Sequence, residues 1–309
     1  DRAGAALLLA LSGSPLLIPS AQAATITVTD GEIALDASNG ACSLIEAIQN
    51  ANNKQNGRPN DDCAAGNPNG PDTINLPADS HFMLTEAIVT GDTGANGLPW
   101  ISSEITINGN NATIWRNDDY GYFRILAVGQ QGNLHLKNTR ITGGRVNSPN
   151  YDPYYQGDGI YNQGSLTIEN CNFFNNFGQA IWSGTYTQGA DLTVRDSTIS
   201  RNYDHGIGIQ GGSADIFRST IARNYWSGVV AHGGAHVDIV NSTITGNQTP
   251  YSGAGIAVFD NSVVYVDSST VAHNYAPYAG GGIMISAVSY THLRAHETDS
   301  YLVCRLLLE

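Results

Sequence analysis

Short stretches in which apolar and polar residues alternate recur through the middle of the chain. Most copies combine a Leu-x-Ile type of stretch with a Ser-Thr-Ile type a few residues later. The copies begin at Leu134, Leu166, Leu192, Ala214, Val237 and Val264, and a weaker one begins near Ile105. From Leu134 onward, successive starts are 32, 26, 22, 23 and 27 residues apart. Alternation with a period of two residues predicts β-strands with one buried face.

A third apolar stretch completes each repeat, in forms such as Gly-Ile-Gly-Ile and Gly-Ile-Ala-Val. One set of three short strands cannot bury its apolar faces alone, whereas stacked copies bury them against one another. The repeat therefore predicts an all-β fold, a right-handed parallel β-helix with three faces. We expect this solenoid to occupy residues 101–287 and to be truncated at its C-terminal end.

Residues 24–100 lack the repeat and are predicted to form an N-terminal cap. Residues 25–29 alternate and predict a first strand. Ser43 followed by Glu46 fits the capping box that starts a helix. Apolar residues then recur at helical spacing, at Leu44, Ala47, Ile48 and Ala51. A short helix over the open end of the solenoid would protect its edge strands from pairing with other chains.

The cap resembles a known domain. It contains Cys-Ser-Leu-Ile-Glu-Ala-Ile at 42–48, Asp-Cys at 62–63 and Pro-Asp-Thr-Ile-Asn-Leu-Pro at 71–77. These segments resemble the CSLREA domain, which heads many bacterial exported β-helix proteins of the polymorphic outer membrane protein and pectate-lyase-like type. Ile45 stands where the domain has Arg. The resemblance implies an extracellular or cell-surface protein, frequently with a C-terminal anchor, and it implies no single reaction.

Both ends of the chain are interpreted as lying outside the fold. Residues 1–23 combine a basic flank, a short apolar core and Ala-Gln-Ala, the layout of a secretory signal peptide cleaved after Ala23. The repeat stops at Val288, and residues 288–309 resemble a translated sequencing adapter. We therefore predict that this tail is not native and give no functional weight to His292, His296 and Cys304.

Composition narrows the class of partner. The chain has 309 residues, 35 of them Gly, and a net charge of −13. Nucleic-acid binding requires clustered Lys and Arg, so we expect no nucleic-acid partner. The charge also opposes unaided binding of polyanionic sugars, unless calcium bridges the two. We expect no cofactor, no protein metal site and no membrane span beyond the signal peptide. Calcium is expected as a cofactor only if the protein is a lyase.

The cysteines fit an exported protein. Cys42 and Cys63 would close a loop of about 20 residues, which contributes about 3 kcal/mol on the loop-entropy estimate. Export makes this disulfide plausible because disulfides persist in oxidising compartments. Cys171 aligns with Ser197, Ser219, Ser242 and Ser269, and this small inward position predicts an inert core thiol.

One corner of the repeat carries two recurring side chains. An Asn closes the second strand in five copies, Asn176, Asn202, Asn224, Asn247 and Asn274, and stacked copies are predicted to form a hydrogen-bonded ladder. An aromatic residue often follows this Asn, as Phe177, Tyr203, Tyr225 and Tyr275. We interpret these aromatics as a stacked ladder, and sugar stacking is the alternative.

Candidate binding residues lie on the third strand and in one insertion. Tyr161 and Trp182 occupy outward positions on adjacent coils and form either a sugar-stacking pair or a plain surface pair. The longest coil contains an aromatic insertion, with Tyr151, Tyr154 and Tyr155. Because loops on a rigid scaffold often carry binding, this insertion is the favoured ligand-contacting patch.

Catalytic residues are weakly indicated. Asp158, Asp204 and His205 precede the third strand and are interpreted as solvated turn residues or as an acid/base group. By the alignment Asp158 and Asp204 are two coils apart, about 9–10 Å, which is marginal for hydrolysis by two carboxylates. The leading hypothesis is therefore a non-enzymatic surface protein for adhesion, glycan binding or support. A polysaccharide lyase or glycoside hydrolase on the same fold is the alternative.

Overall fold

A computed structural model describes residues 23–35, 39–53, 62–90, 94–146, 157–286 and 290–294. The predicted signal peptide up to residue 22 and the aromatic insertion with Tyr151, Tyr154 and Tyr155 lie outside the described residues.

Three columns of short parallel strands wind around one core. The first face contains β1 (Ala24–Thr27), β2 (Asp72–Asn75), the start of β4 (Glu104–Arg116) and of β6 (Asn133–Thr142), then β8 (Ser165–Glu169), β11 (Ala190–Arg195), β14 (Gly212–Phe217), β17 (His236–Val240), β20 (Val263–Asp267) and β23 (Tyr290–Arg294). The second face contains β3 (His81–Leu84), the ends of β4 and β6, then β9 (Asn172–Phe174), β12 (Thr198–Ser200), β15 (Thr220–Ala222), β18 (Thr243–Thr245) and β21 (Thr270–Ala272). The third face contains β5 (Leu126–Val128), β7 (Ile160–Asn162), β10 (Ile181–Gly184), β13 (Ile207–Gln210), β16 (Val229–His232), β19 (Ile256–Val258) and β22 (Ile283–Ile285).

The strand register confirms the repeat alignment made from the sequence. On the first face the aligned partners are Leu134, Leu166, Leu192, Ala214, Val237 and Val264, each paired in parallel with the next. On the second face they are Ile199, Ile221, Ile244 and Val271. These side chains point inward and are almost fully buried, except for Val271 near the last described coils. Because identical faces stack in register, one continuous apolar core runs along the solenoid.

The turns from strand to strand require left-handed backbone at fixed positions. At the corner between the second and third faces this position holds Asn175, Arg201, Arg223, Gly246 and His273. This left-handed position lies one residue before the closing Asn column. The ladder asparagines follow the left-handed residue, so their side chains turn into the solenoid while the preceding side chains project outward.

The predicted cap helix forms as α1 (Leu44–Asn52). Ser43 Oγ accepts from the Glu46 N–H at 3.1 Å, and Glu46 accepts from the Ser43 N–H at 3.1 Å, so both bonds of the capping box are present. The apolar face of the helix is buried against β1 and β2, the first strands of the solenoid. The predicted disulfide between Cys42 and Cys63 is also confirmed, and it ties the start of the helix to the loop that follows it.

The last described strand falls in the tail that resembles an adapter. Strand β23 pairs in parallel with β20, with Tyr290 opposite Val263 and Arg294 opposite Asp267. Strand pairing thus continues past Val288, where we expected the repeat to stop. The non-native origin of residues 288–309 stays a prediction.

Candidate functional site

The corner between the second and third faces is organised by a buried ladder of asparagines. Each ladder Asn donates from Nδ2 to Oδ1 of the next, at 2.9 Å from Asn176 to Asn202, from Asn202 to Asn224 and from Asn224 to Asn247, and at 3.0 Å from Asn247 to Asn274. The Oδ1 atoms of Asn202, Asn224, Asn247 and Asn274 also accept the backbone N–H of the preceding ladder Asn at 2.9–3.1 Å, and Asn176 Oδ1 accepts the Gly144 N–H at 3.0 Å. Because buried polar groups must be paired, this ladder holds the corners of successive coils in one line.

Three aromatic rings stack outside the ladder. The centroids of Phe177 and Tyr203 are 5.3 Å apart with planes at 8°, and those of Tyr203 and Tyr225 are 5.2 Å apart at 4°. The guanidinium of Arg145 lies over the Phe177 ring, 4.9 Å from its centroid. The stacked-ladder interpretation therefore describes these rings, since Tyr203 has a ring on each face.

Further aromatic side chains widen this corner into an exposed surface. Trp226 follows Tyr225 and lies 5.4 Å, centroid to centroid, from the ring of Tyr251. Tyr225 is 58% exposed, Tyr251 60% and Tyr275 60%. We call this surface the aromatic corner; it comprises Phe177, Tyr203, Tyr225, Trp226, Tyr251, Tyr275 and Tyr278. Large exposed apolar patches on a protein surface often mark interaction sites.

Two arginines line a shallow groove in the aromatic corner. Arg201 and Arg223 occupy left-handed positions, with φ of 56° each, and both side chains are exposed. The groove has a volume of about 380 Å³, and its lining comprises Asn175, Arg201, Tyr203, Arg223, Asn224, Tyr225, Gly246 and Gln248. Sequence analysis missed Arg223 and Trp226, although Arg201 and Arg223 each directly precede a ladder Asn, which was a usable signal.

The predicted catalytic residues lie beside this corner, in the turn that leads to the third face. Asp204 accepts from Gln179 Nε2 at 3.1 Å and from the His205 N–H at 2.6 Å. His205 Nδ1 accepts the Ser227 N–H at 3.1 Å, and its ring lies edge-on to Trp226 at 5.3 Å. Burial lowers the pKa of His205, which favours the neutral ring that accepts this bond.

Asp158 differs from Asp204 in its surroundings. Asp158 is only 5% exposed, and burial raises the pKa of its carboxyl to about 8. The charges of Arg124 and Arg116 oppose this rise, while that of Asp204 adds to it. A Cβ on Gly178 would lie 2.6 Å from Asp158 Oδ2, so the carboxyl is packed against backbone. The interpretation of Asp158 as a solvated turn residue is therefore wrong, because neighbouring coils cover it.

Tyr161 and Trp182 occupy the predicted neighbouring positions, paired in register. Neither is a surface residue, since Tyr161 is 1% exposed and Trp182 6%. The Arg124 guanidinium lies over the Tyr161 ring, 4.9 Å from the ring centroid. The rings of Trp100 and Tyr161 meet edge-on, with 6.3 Å between their centroids. The indole of Trp182 covers the backbone of Gly208, where an added Cβ would meet it at 2.1 Å. Rings packed in this way cannot offer a free face to a sugar, which corrects both alternatives for this pair.

Comparison with protein families decides the hand of the solenoid. Residues 183–296 match the family described as the right handed beta helix region. The chain is a right-handed parallel β-helix. No curated protein and no solved structure matches this chain.

None of the helices in the described ranges has the length and apolar character needed to cross a membrane. Within those same ranges, His, Cys, Asp and Glu form no group of three or more that could hold a metal ion. Cys171 is buried, and burial raises the pKa of its thiol to about 12.

Proposed function

We propose that this β-helix is an exported bacterial surface or extracellular protein that binds glycans through the aromatic corner. The observation that carries the proposal is the row of exposed aromatic rings on successive coils. Ring faces and edges pack well on the apolar faces of sugars, while the tyrosine hydroxyls offer hydrogen bonds to sugar hydroxyls. The disulfide between Cys42 and Cys63 supports export, since disulfides persist in oxidising compartments.

The coil repeat suits a long ligand. Strands in neighbouring coils lie about 4.8 Å apart, so the corner offers a similar set of groups at nearly constant intervals. A polysaccharide also repeats along its length, and several weak contacts in register add up to useful affinity. Adhesion to a cell wall or to a surface glycan is the role that fits such a surface.

The test is binding to a panel of soluble and insoluble polysaccharides, by affinity gel electrophoresis and pull-down. Replacing Tyr225 or Tyr251 with Ala is expected to weaken binding about tenfold, since a lost aromatic contact is worth about 1.4 kcal/mol. Tyr186→Ala is the matched control, because Tyr186 is 64% exposed but lies in the turn after the third strand. Equal binding by all three variants would contradict the proposed location, and no binding by the unaltered chain would contradict the function.

A polysaccharide-cleaving enzyme is the second candidate, and one observation favours it. A carboxyl with a pKa of about 8 is protonated at neutral pH, as a general acid must be, and the charge of Asp204, two coils away, adds to this rise. Its burial counts against this role. Release of reducing or unsaturated sugars, abolished by Asp158→Asn, would establish the enzyme; absence of product across the panel would leave the binding function alone.

A further inference from the structure

Two tyrosine rings of the aromatic corner are stacked face to face on neighbouring coils. The centroids of Tyr203 and Tyr225 are 5.2 Å apart, and their planes differ by 4°. Their backbones are also equivalent, because each follows a ladder Asn and each N–H donates at 2.9 Å to the carbonyl of the ladder Asn one coil earlier. Equivalent atoms of the two phenols therefore lie about one coil step apart, about 4.8 Å. We call Tyr203 and Tyr225 the stacked pair.

Among the described residues of this column, the stacked pair has no third tyrosine against it. On one side the ring of Phe177, which has no hydroxyl, lies 5.3 Å from that of Tyr203, centroid to centroid. On the other side Gln248 takes the next position, since its N–H bonds the ladder Asn of the preceding coil and it pairs with Tyr275 on the following one. Tyr275 is thus two coil steps beyond Tyr225, about 10 Å. A reaction that needs two adjacent phenols therefore has one pair available in this column.

An oxidant in the solvent can reach both phenols of the stacked pair, because each residue is at least half exposed. A phenol that loses one electron and its proton becomes a phenoxyl radical, and part of the unpaired electron lies on the carbons ortho to the oxygen. Two such radicals combine through these carbons. Exposed side chains change rotamer within nanoseconds, so the facing ring edges can close the remaining separation. Because the fold holds the two rings together, coupling within the chain is favoured over coupling between chains.

We propose that the stacked pair is a modification site, at which a haem peroxidase using hydrogen peroxide joins Tyr203 and Tyr225 as dityrosine. The peroxide takes one electron and one proton from each hydroxyl and is reduced to two water molecules. A C–C bond forms between one ortho carbon of each ring. The hydrogens on those carbons move to the phenolic oxygens as the rings regain aromaticity, so the product has two hydrogen atoms fewer than the starting chain.

The cross-link ties two neighbouring coils together on the outer side of the asparagine ladder. Coils of a solenoid depend on their nearest neighbours for stability, so a covalent bond between two of them opposes their separation. The bond also closes a loop one coil long, which lowers the entropy of the unfolded chain. This modification needs no glycan and goes beyond the proposed function.

The experiment is treatment of the folded chain, at low concentration, with a haem peroxidase and hydrogen peroxide. Dityrosine is then assayed in the acid hydrolysate of the monomer band from a reducing, denaturing gel. The unaltered chain should give monomeric dityrosine in a yield that does not depend on protein concentration. Tyr203→Phe and Tyr225→Phe keep both rings and remove one hydroxyl, so each should lose most of this product.

Tyr275→Phe is the matched control. Tyr275 occupies the same column position and is as exposed as Tyr225, but Gln248 separates it from the stacked pair. This variant should give the yield of the unaltered chain, and circular dichroism checks that all three variants are folded.

Three results would overturn the proposed site. They are an equal yield of monomeric dityrosine in the unaltered chain and in both variants of the stacked pair, dityrosine confined to cross-linked dimers, and absence of dityrosine from the oxidised chain. None of these measurements involves a polysaccharide, so the proposed glycan binding stands or fails separately.

Discussion

Replacing Asn224 with Ala tests whether the asparagine ladder holds the solenoid together. Asn224 is buried in the middle of the ladder. Its Oδ1 accepts from the Asn202 N–H at 3.1 Å and from Asn202 Nδ2 at 2.9 Å. Its Nδ2 donates to the Ile199 carbonyl at 3.2 Å and to Asn247 Oδ1 at 2.9 Å. Alanine removes all four bonds without changing the backbone at this position.

The loss of stability follows from the hydrogen bonds that the neighbouring residues lose. The Asn202 N–H loses its ladder acceptor in a buried site, which costs about 1–3 kcal/mol. Asn202 Nδ2 still donates to the Ser200 carbonyl at 3.2 Å, and Asn247 Oδ1 still accepts the Asn224 N–H at 3.0 Å, so these two groups keep a partner. The three remaining bonds are then worth about 1 kcal/mol each. The unfolding free energy should fall by about 4–6 kcal/mol.

Guanidinium unfolding followed by tryptophan fluorescence measures this change. Asn133→Ala is the control, because Asn133 is exposed at the start of β6 and should change stability by no more than about 0.5 kcal/mol. Solenoids unfold as nearest-neighbour units, so hydrogen exchange of the coils around Asn224 should rise first. The reasoning would be refuted if the two variants had the same midpoint and slope.

Three further outcomes are expected. Removing the disulfide with Cys42→Ser and Cys63→Ser should lower the unfolding free energy by about 3 kcal/mol, measured by denaturant titration; an unchanged midpoint would show that the cap does not depend on it. The pKa of Asp158 rises from 3.8 to about 8 on folding, so the folded state binds this proton more tightly and the contribution of this group to stability is lost as pH rises from about 4 to 8. Asp158→Asn should abolish this loss relative to the unaltered chain, and parallel pH profiles of unfolding would contradict the assignment. In a Cys304→Ser background, the Cys171 thiol should react with a thiol reagent only after unfolding, because it is buried and its pKa is about 12; rapid labelling of the native chain would count against that.

The sequence by itself determined the repeat architecture. A period of two residues within strands, and the recurrence of Leu, Ile and Asn at matched positions, left one way to bury the apolar faces. The register of the first strands, such as Leu166 with Leu192, followed from that alignment. The cap helix and its capping box were equally predictable, since both depend on neighbours within four residues of chain.

Exposure was decided only by the tertiary structure. Tyr161 and Trp182 pack outside the main core and Asp158 lies in a turn, yet side chains and backbone of neighbouring coils cover all three. No local sequence pattern predicts this burial, because it depends on which residues of neighbouring coils lie beside the side chain and not on spacing along the chain. The same limit hid Arg223, whose place beside Arg201 in the groove is set only once the coils are stacked. Periodicity thus determines how the coils stack, whereas the exposure of an individual side chain depends on its neighbours in the adjacent coils.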